Sequence, residues 1–457
     1  MIKNLINDLK NKKVTKDQLK ENYLDIAHNK NKDINAYISI TDDYSKITKE
    51  NVGYLSGIPG VIKDNINVKG TITTAGSKIL ENYKSPYTAT VVEKLKDFTL
   101  IGKGNLDSFA CGSSTENSGF GVAKNPYDLS RVAGGSSGGV AAAISMGSSV
   151  FGIGTDTGGS VRQPSSFCGL VGLKPTYGLC SRYGLIAMAS SFDVPGIIAI
   201  DTEDTSIILN EIVGFDPKDS TSVGIPKEDY TKFDDIKGMK IGVLDFDESG
   251  IDRDVLYNFK NSIKVLEDLG CVIELIKLQY IKYALSVYYI LVPAEISTNL
   301  TRFDGIRFGM HPKDSDSLTD FYMQAREQFE DEVKRRILMG TYILSKGYFD
   351  TYYTKALKVR NMIKNEFIDV FQKFDAIITP TTPTPAFKIG AKETPLSMYL
   401  SDIFTVPANI AGIPAISVPN GVSKDNLPTG LHIMGDFFQE RKILSIANSF
   451  EKSISWK

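Results

Sequence analysis

Ser160 lies in a turn whose residue types could support nucleophilic catalysis. The stretch FGIGTDTGGSVRQPSSFCG, residues 151–169, begins as an apolar strand and runs into Gly158, Gly159 and Ser160. The paired glycines leave the backbone free to bring N–H groups close to a bound atom. Three interpretations are open from this stretch alone: a phosphate cradle, a structural turn, or the seat of a nucleophile.

The nucleotide-binding interpretations fail on their glycine and lysine spacing. A P-loop needs a lysine directly after its last glycine, and neither GIGTDTGGS nor the upstream AGGSSGGVAAA has one in register. The dinucleotide fingerprint fails as well, because Thr157 stands where its third glycine should fall. The turn therefore matches neither phosphate-binding motif.

A serine nucleophile needs a base, and the sequence favours a lysine over a histidine. The three histidines lie outside the glycine- and serine-rich region: His28, His311 and His432. Lys63 is a charge in the otherwise apolar, strand-like run that begins at GIPGVI. Burial would lower its pKa from about 10.4 toward about 7 to 8, as a Ser–Lys mechanism requires. Ser136 and Ser137, in AGGSSGG, offer a hydroxyl that could relay the proton.

The sequence resembles the amidase signature family in two segments, GGSSGGVAAA and GTDTGGSVRQPSSFCGLVGLKPTYG. The separations among Lys63, Ser136 and Ser160 along the chain match those of the same family. The resemblance implies a Ser–Ser–Lys triad. Ser160 would be the nucleophile, Ser136 the relay after a cis peptide bond, and Lys63 the base. Attack by Ser160 on an amide carbonyl would need an oxyanion hole, expected from backbone N–H groups between about Thr157 and Ser160, with Thr157, Gly158 and Gly159 as its donors.

Further segments resemble one branch of that family, the A subunits of glutamyl/aspartyl-tRNA amidotransferases. They include NLDSFACGSSTENSGFG, RYGLIAMASSFD and AIITPTTPTPAFKIG, and the resemblance runs from about residue 50 to the C terminus. It implies that glutamine is hydrolysed and its ammonia passed to a partner subunit. A stand-alone amidase acting on another small amide is the alternative. A scaffold protein without catalysis is a rival that the intact triad residues argue against.

The same resemblance implies a glutamine pocket. Arg336, in EVKRRILMG, would grip the α-carboxylate with its guanidinium fork, and Asp402, in MYLSDIF, would bind the α-ammonium. Because Arg335 is adjacent, the choice between the two arginines stays open. A tyrosine of the YY pair, Tyr288 or Tyr289, would line the same pocket, with Tyr289 assigned to it.

The expected partners and cofactors also follow from the resemblance. The chain would carry no cofactor or metal of its own, while ATP and Mg²⁺ would bind to the partner. The assembly would be a heterotrimer with the B and C subunits of the amidotransferase, reaching mischarged tRNA through the B subunit. The net charge of −2, from 52 Lys+Arg and 54 Asp+Glu, gives no global attraction for nucleic acid.

The composition predicts a protein of the cytoplasm. No run of about 18 apolar residues is present, and the N terminus lacks the pattern of a signal peptide, so no membrane segment is expected. The four cysteines form no CxxC pair and no Cys/His ligand spacing, which favours buried thiols over a disulfide framework or a metal site.

Alternating strand and helix patterns predict an α/β fold, with a mixed central β-sheet covered by helices on both faces. A single amidase domain would span residues 1–457. Its expected parts are N-terminal helices in 1–50, a signature core with the triad in 51–200, a largely helical part with one βαβ step in 201–350, and a return to the sheet in 351–457. Amphipathic periodicity predicts two long helices, over 318–345 and 353–373, and Thr15 is predicted to cap a helix.

Overall fold

The computed structural model describes residues 1–41, 53–226, 228–392 and 394–456. Its strands are β1 (Tyr37–Ile40), β2 (Pro59–Lys63), β3 (Thr99–Gly104), β4 (Lys124–Asn125), β5 (Asp128–Val132), β6 (Phe151–Asp156), β7 (Val171–Lys174), β8 (Val194–Ala199), β9 (Lys240–Leu244), β10 (Val272–Ile276), β11 (Ala376–Pro380), β12 (Ala415–Val422) and β13 (Pro428–Met434). Strands β4 and β5 pair with each other, and the remaining eleven described strands form one sheet.

The sheet interleaves distant parts of the chain. Its strand order is β1–β3–β2–β6–β8–β7–β12–β13–β11–β9–β10. Pairing is parallel between β2 and both β3 and β6, and antiparallel between β7 and β12. The predicted βαβ step forms the parallel β9–β10 pair at one edge, joined to the rest through β11. The C-terminal strands thus lie between the N-terminal strands and this edge unit, which confirms the predicted mixed sheet.

The α-helices are α1 (Ile2–Lys10), α2 (Lys16–Ile34), α3 (Thr90–Glu93), α4 (Gly138–Ser145), α5 (Arg162–Phe167), α6 (Thr202–Ile212), α7 (Arg253–Asp268), α8 (Ala284–Asn299), α9 (Leu318–Glu327), α10 (Asp331–Leu344), α11 (Lys355–Phe371), α12 (Pro395–Tyr399), α13 (Val406–Ala411) and α14 (Glu440–Ser453). A π-helical turn, Phe349–Thr354, leads into α11. In the described ranges no helix is both long enough and apolar enough to cross a bilayer.

Helices cover both faces of the sheet, as predicted. Successive side chains of a strand point to opposite faces, so neighbouring residues of β2 enter different cores. Val61 shares a buried cluster with Val140 of α4, whereas Ile62 shares one with Ile208 of α6. A strand buried on both faces must be apolar along its length, which makes a lysine at the end of β2 unusual.

The N-terminal helices match the sequence pattern. Thr15 caps α2 through a reciprocal pair of bonds: its hydroxyl accepts from the N–H of Gln18 at 3.1 Å, and its own N–H donates to the Gln18 side chain at 3.0 Å. This capping box satisfies two donors that the first helical turn leaves unpaired. The predicted division of the chain near residue 50 lies outside the described residues.

The single helix predicted over residues 318–345 is wrong, because the chain forms α9 and α10 with a break between them. At the break Phe329 is buried against Phe109, with ring centroids 5.6 Å apart. The carboxylate of Glu330 accepts from the hydroxyls of Ser77 and Ser108. These tertiary contacts hold the chain out of helical geometry, and α10 begins at the next residue. The second predicted helix is confirmed as α11.

Candidate active site

Lys63 ends the buried strand β2 and is fully enclosed. Its Nζ donates to the hydroxyl of Ser136 at 2.7 Å and to the hydroxyl of Thr155, on the neighbouring strand β6, at 2.9 Å. A further contact reaches the Thr155 carbonyl at 3.3 Å. The amine is therefore held by hydroxyl and carbonyl oxygens and points at Ser136, the residue predicted as its relay.

Burial sets the protonation state of Lys63. Desolvation lowers the pKa of its amine to about 7, although the carboxylates of Asp107, Asp156 and Asp193 act to raise it. Burial disfavours the charged form of an amine, and here this effect on the pKa outweighs the attraction of the nearby negative charges. At neutral pH a large fraction of Lys63 is thus the free amine, with a lone pair available for a proton.

Ser136 stands at the entrance to α4, and the peptide bond that joins it to Gly135 is cis. The turn is crowded by other backbone: a Cβ at Gly135 would come within 2.5 Å of the Ser114 nitrogen. The Gly135 N–H donates to the side-chain oxygen of Gln163 at 2.9 Å. These contacts seat the turn so that the Ser136 hydroxyl meets Lys63.

Ser160 sits in the turn between β6 and α5, beside the serine pair. Its carbonyl accepts the backbone N–H of Ser137 at 3.1 Å, so the two serine-bearing turns lie side by side. Ser160 is 7% exposed, whereas Lys63 and Ser136 are fully buried. The structure therefore brings the three predicted triad segments together and leaves Ser160 nearest to solvent.

Asp156 organises the turn predicted as an oxyanion hole. Its carboxylate accepts the N–H of Gly159 at 3.0 Å and the N–H of Val161 at 3.2 Å. Gly159 was predicted to donate to the oxyanion, but in this geometry its N–H is engaged. Over the ranges that the structure covers, the N–H groups of Thr157, Gly158 and Ser160 donate to no protein acceptor. They are donors that the turn leaves free.

Thr157 and Thr405 brace this turn from its two sides. The Thr157 hydroxyl donates to Asp193 at 2.8 Å, and the Thr405 hydroxyl donates to the Gly158 carbonyl at 2.7 Å. Gly159 has a φ of +135°, and a Cβ there would overlap the Thr405 side chain. Only glycine satisfies both the conformation and the close approach at this position.

Arg162 forms a buried ion pair with Asp156 that sequence analysis missed. Its Nη2 and Nε lie 2.8 and 3.0 Å from the two carboxylate oxygens. Burial acts to raise the pKa of Asp156, but Arg162 overcomes it and holds the pKa below its usual range. The signal available in the sequence was the arginine of VRQPSSF, which is the charged residue of an otherwise uncharged run inside the signature.

His432 folds against the signature segment, which its surroundings in the sequence did not indicate. Its Nε2 lies 2.9 Å from Arg162 Nη1, and its Nδ1 lies 3.2 Å from the Thr379 hydroxyl. That hydroxyl donates to the Pro380 carbonyl, so it accepts from Nδ1–H while Nε2 accepts from Arg162. Burial and Arg162 lower the pKa of His432. With both nitrogens engaged, His432 is no base for Ser160.

The two adjacent arginines of α10 face in different directions. Arg336 is 2% exposed, and its Nε donates to Glu332 Oε1 at 2.8 Å. The Arg335 side chain is 47% exposed and pairs with the other oxygen of Glu332. Of the two candidates left open by the sequence, Arg336 is the one that helical phase turns into the protein.

Asp402 lies in a short 3₁₀ turn close to Arg336. Burial raises the pKa of its carboxyl to about 7, against the lowering effects of a hydrogen bond from Ser113 and of the Arg336 charge. The Ser113 hydroxyl donates to Asp402 Oδ2 at 2.5 Å. A buried cation and a buried carboxyl thus lie within electrostatic range of each other, an arrangement that complements a zwitterionic amino acid.

Both tyrosines of the YY pair lie close to Arg336 and Asp402. A Cβ on Gly158 would lie 2.7 Å from the ring of Tyr288, so Tyr288 covers the oxyanion turn. Tyr289 stacks on Tyr399, with centroids 3.6 Å apart, and Arg336 lies 5.5 Å from the Tyr289 centroid. Tyr288 therefore borders the nucleophile, and Tyr289 borders the arginine.

The thiol of Cys111 interacts with Arg336, and burial raises its pKa to about 12, so it stays protonated beside these groups. In the described parts of the chain, no group of three or more His, Cys, Asp or Glu residues is placed to hold a metal ion. All four cysteines are free and buried, which confirms the prediction of buried thiols. Burial raises the pKa of Cys168, beside the signature, and keeps it a thiol.

The fold and this arrangement of two serines and a buried lysine agree with the family comparison. The model of the amidase family matches residues 18–444. The chain therefore belongs to the amidase family.

Individual proteins similar to this chain indicate which branch of the family it resembles. The A subunit of glutamyl-tRNA(Gln) amidotransferase of Thermoanaerobacter pseudethanolicus is 53% identical over 461 residues, covering 97% of this chain and 94% of the relative. The crystal structure of the protein of the same name from Thermotoga maritima matches with a TM-score of 0.83 and 44% identity, over 96% of this chain and 93% of that one. The 6-aminohexanoate cyclic dimer hydrolase complexed with substrate has a TM-score of 0.87 at 23% identity, over 100% of this chain and 97% of that one, and shares the fold.

Proposed function

We propose that this chain is the glutamine-hydrolysing component of a tRNA-dependent amidotransferase. The observation that carries the proposal is the contact of 2.7 Å between a buried lysine and Ser136, next to Ser160. Close by lie a buried cation and a buried carboxyl, Arg336 and Asp402, suited to the two charged ends of an amino acid. Similarity to A subunits over nearly the whole chain supports the same conclusion.

In the first half-reaction, the Ser160 hydroxyl attacks the side-chain amide carbonyl of glutamine. Its proton passes to Ser136, whose own proton passes to the free amine of Lys63. The free N–H groups of Thr157, Gly158 and Ser160 are the donors available to stabilise the tetrahedral oxyanion, each contributing about 3 to 4 kcal/mol in the transition state. The C–N bond then breaks, the relayed proton returns to the leaving nitrogen, and ammonia departs from a glutamyl ester.

The second half-reaction repeats these proton transfers with water as the nucleophile and Ser160 as the leaving group. Water attacks the ester carbonyl and gives its proton to Lys63 through Ser136. Collapse of the second oxyanion breaks the bond to Ser160, whose oxygen recovers the proton. Glutamate leaves, and the free serine and free amine are restored for another cycle.

The two ends of the substrate are held apart from the reacting carbonyl. Arg336 binds the α-carboxylate and Asp402 the α-ammonium, while Tyr289 lines the arginine end of the pocket. A substrate ammonium favours the charged form of Asp402, whose pKa near 7 leaves it partly protonated in the free protein. Binding therefore converts a partly neutral carboxyl into an ion pair.

Ammonia released here is used elsewhere in the proposed assembly. The chain would act in the cytoplasm in a heterotrimer with the B and C subunits. The B subunit would bind ATP, Mg²⁺ and the mischarged Glu-tRNA(Gln) or Asp-tRNA(Asn), and activate the acyl group for attack by ammonia. The relatives are named as A subunits of glutamyl-tRNA(Gln) amidotransferase, which supports the first of these two tRNA substrates.

The test uses the assembled complex with charged tRNA, ATP and Mg²⁺. Ser160→Ala should abolish glutamine-dependent amidation. Ammonium salt supplied in place of glutamine should restore amidation by the same variant, because the step on the partner needs only ammonia. This rescue shows that the variant folds and assembles.

Two outcomes would contradict the proposal. Full glutaminase activity in the Ser160→Ala complex would refute the nucleophile. Rapid hydrolysis of simple amides by the isolated chain, with no response to partners or charged tRNA, would favour the alternative of a stand-alone amidase.

A further inference from the structure

Arg336 is a buried cation whose two terminal nitrogens meet no acceptor in the part of the chain that the structure describes. Among the described residues only its Nε is paired, to Glu332 at 2.8 Å. Its side chain is 3% exposed, so water alone compensates Nη1 and Nη2 poorly. A guanidinium presents two flat edges, and with Nε occupied the edge formed by Nη1 and Nη2 remains for a carboxylate.

Glu332 is the residue that holds the arginine in this orientation. It precedes Arg336 by one helical turn of α10, and its side chain is 9% exposed. Oε1 accepts from Arg336 and also lies 3.4 Å from the Tyr399 hydroxyl, while Oε2 pairs with the exposed Arg335. With three partners on its two oxygens, the carboxylate has little freedom to turn away.

Two aromatic rings limit the swing of the guanidinium. Tyr289 and Tyr399 stack at 3.6 Å with an angle of 19° between their planes. The central carbon of Arg336 lies 5.5 and 5.8 Å from their centroids. Tyr399 ends α12, three residues before Asp402, so the link to Glu332 connects the two ends of the pocket.

We propose that Glu332 is a positioning residue that makes the enzyme selective for amides bearing an α-carboxylate. By holding Nε of Arg336 it directs the Nη1–Nη2 edge at that carboxylate, and Tyr399 steadies Glu332 in turn. Glu332 does not itself bind substrate, since its own negative charge would repel the carboxylate. The inference rests on the proposed hydrolysis of glutamine and assigns it a source of selectivity.

The experiment compares two amides in the assembled complex. Glutamine carries the α-carboxylate, and 4-aminobutanamide is the same molecule without it. Glu332→Ala should raise KM for glutamine about 10- to 100-fold, the size expected for losing a charge-assisted hydrogen bond, with little change in kcat. Hydrolysis of 4-aminobutanamide, measured by the release of ammonia, should keep its kcat/KM. This substrate has no carboxylate to contact the Nη1–Nη2 edge of Arg336.

Three matched variants accompany this measurement. Glu332→Gln keeps an oxygen for Nε and should recover much of the KM for glutamine. Tyr399→Phe removes only the bond at 3.4 Å and should raise KM slightly. Arg335→Ala removes the exposed partner of Glu332, an ion pair that solvent screens, and should change the preference for glutamine over 4-aminobutanamide far less than Glu332→Ala does.

A purely structural role gives a different result. If Glu332→Ala and Glu332→Gln lower kcat/KM for both amides by the same factor, or leave the KM of glutamine unchanged, the inference is overturned. Failure of the proposed function is recognised by two other results. The unmutated complex would hydrolyse glutamine no better than 4-aminobutanamide, or the Ser160→Ala complex would keep its glutaminase activity.

Discussion

At the scale of single residues, two buried groups with pKa values near neutrality control the response of the site to pH. Burial lowers the pKa of Lys63 to about 7 and raises that of Asp402 to about 7. The mechanism uses the deprotonated form of each: a free amine as base and a carboxylate as partner for the ammonium. Both groups therefore favour activity at higher pH, but they act on different kinetic constants.

We expect kcat to fall about tenfold per pH unit below about pH 7, as Lys63 becomes protonated. KM for glutamine should rise over the same range, because protonated Asp402 no longer attracts the ammonium. In Asp402→Asn, KM should be high at every pH and lose this dependence, while kcat keeps its fall. Steady-state kinetics from about pH 5.5 to about pH 9 make the comparison. An unchanged KM profile in the variant would contradict the role given to Asp402.

At the scale of elements, the separation of α8 and α10 sets the width of the pocket. The helix α8 carries the two tyrosines, and α10 carries Arg336 with its carboxylate partner. The helices meet at Gly340, where a Cβ would overlap the Pro293 carbonyl and lie 2.8 Å from the Cβ of Ser297. A glycine at a helix crossing of this kind allows the two backbones to touch, so the glycine determines how close the pocket walls stand.

Gly340→Ala should push α10 away from α8. We expect a loss of stability of about 1 to 3 kcal/mol, typical of overpacking, together with a higher KM for glutamine as Arg336 moves. Gly250→Ala is the control, because a Cβ there would meet no atom within 4 Å. Thermal unfolding and steady-state kinetics of both variants check the prediction. Equal behaviour of the two variants would show that the helix crossing tolerates a methyl group.

At the scale of the whole molecule, the order of strands argues for one cooperative unit. The strand β12 pairs with β7 of the signature core on one side and with β13 on the other. The edge unit of β9 and β10 joins through β11. No part of the sheet can leave without breaking pairs that involve a distant stretch of chain, which supports the proposed single domain.

The chain's single tryptophan allows a test of this cooperativity. Trp456 lies against the signature core, where a Cβ at Gly169 would come within 2.7 Å of its ring. Denaturant unfolding followed by tryptophan fluorescence and by far-UV circular dichroism should therefore give coincident transitions. Saturating glutamine should shift both by the same amount, because it binds only the folded protein. Separate transitions that respond differently to glutamine would indicate independent units.

The candidate catalytic residues could be predicted from the sequence because each depends on the conformation or solvent exposure of its own short segment. Paired glycines before Ser160, small residues around Ser136 and a charge at the end of an apolar run at Lys63 each reflect what the backbone or the solvent demands at that position. The alternation of strand and helix patterns likewise indicated a mixed sheet with helices on both faces. These features need no knowledge of which distant segments meet.

Contacts between distant segments are what the sequence left open. The helical break before α10 exists because Glu330 bonds to Ser77 and Ser108, and local periodicity carries no record of such partners. His432 meets Arg162, and Tyr399 meets Glu332, for the same reason. Motif and periodicity specify residue types and local conformation, whereas the free donors of a turn and the orientation of Arg336 arise only when separate elements pack against one another.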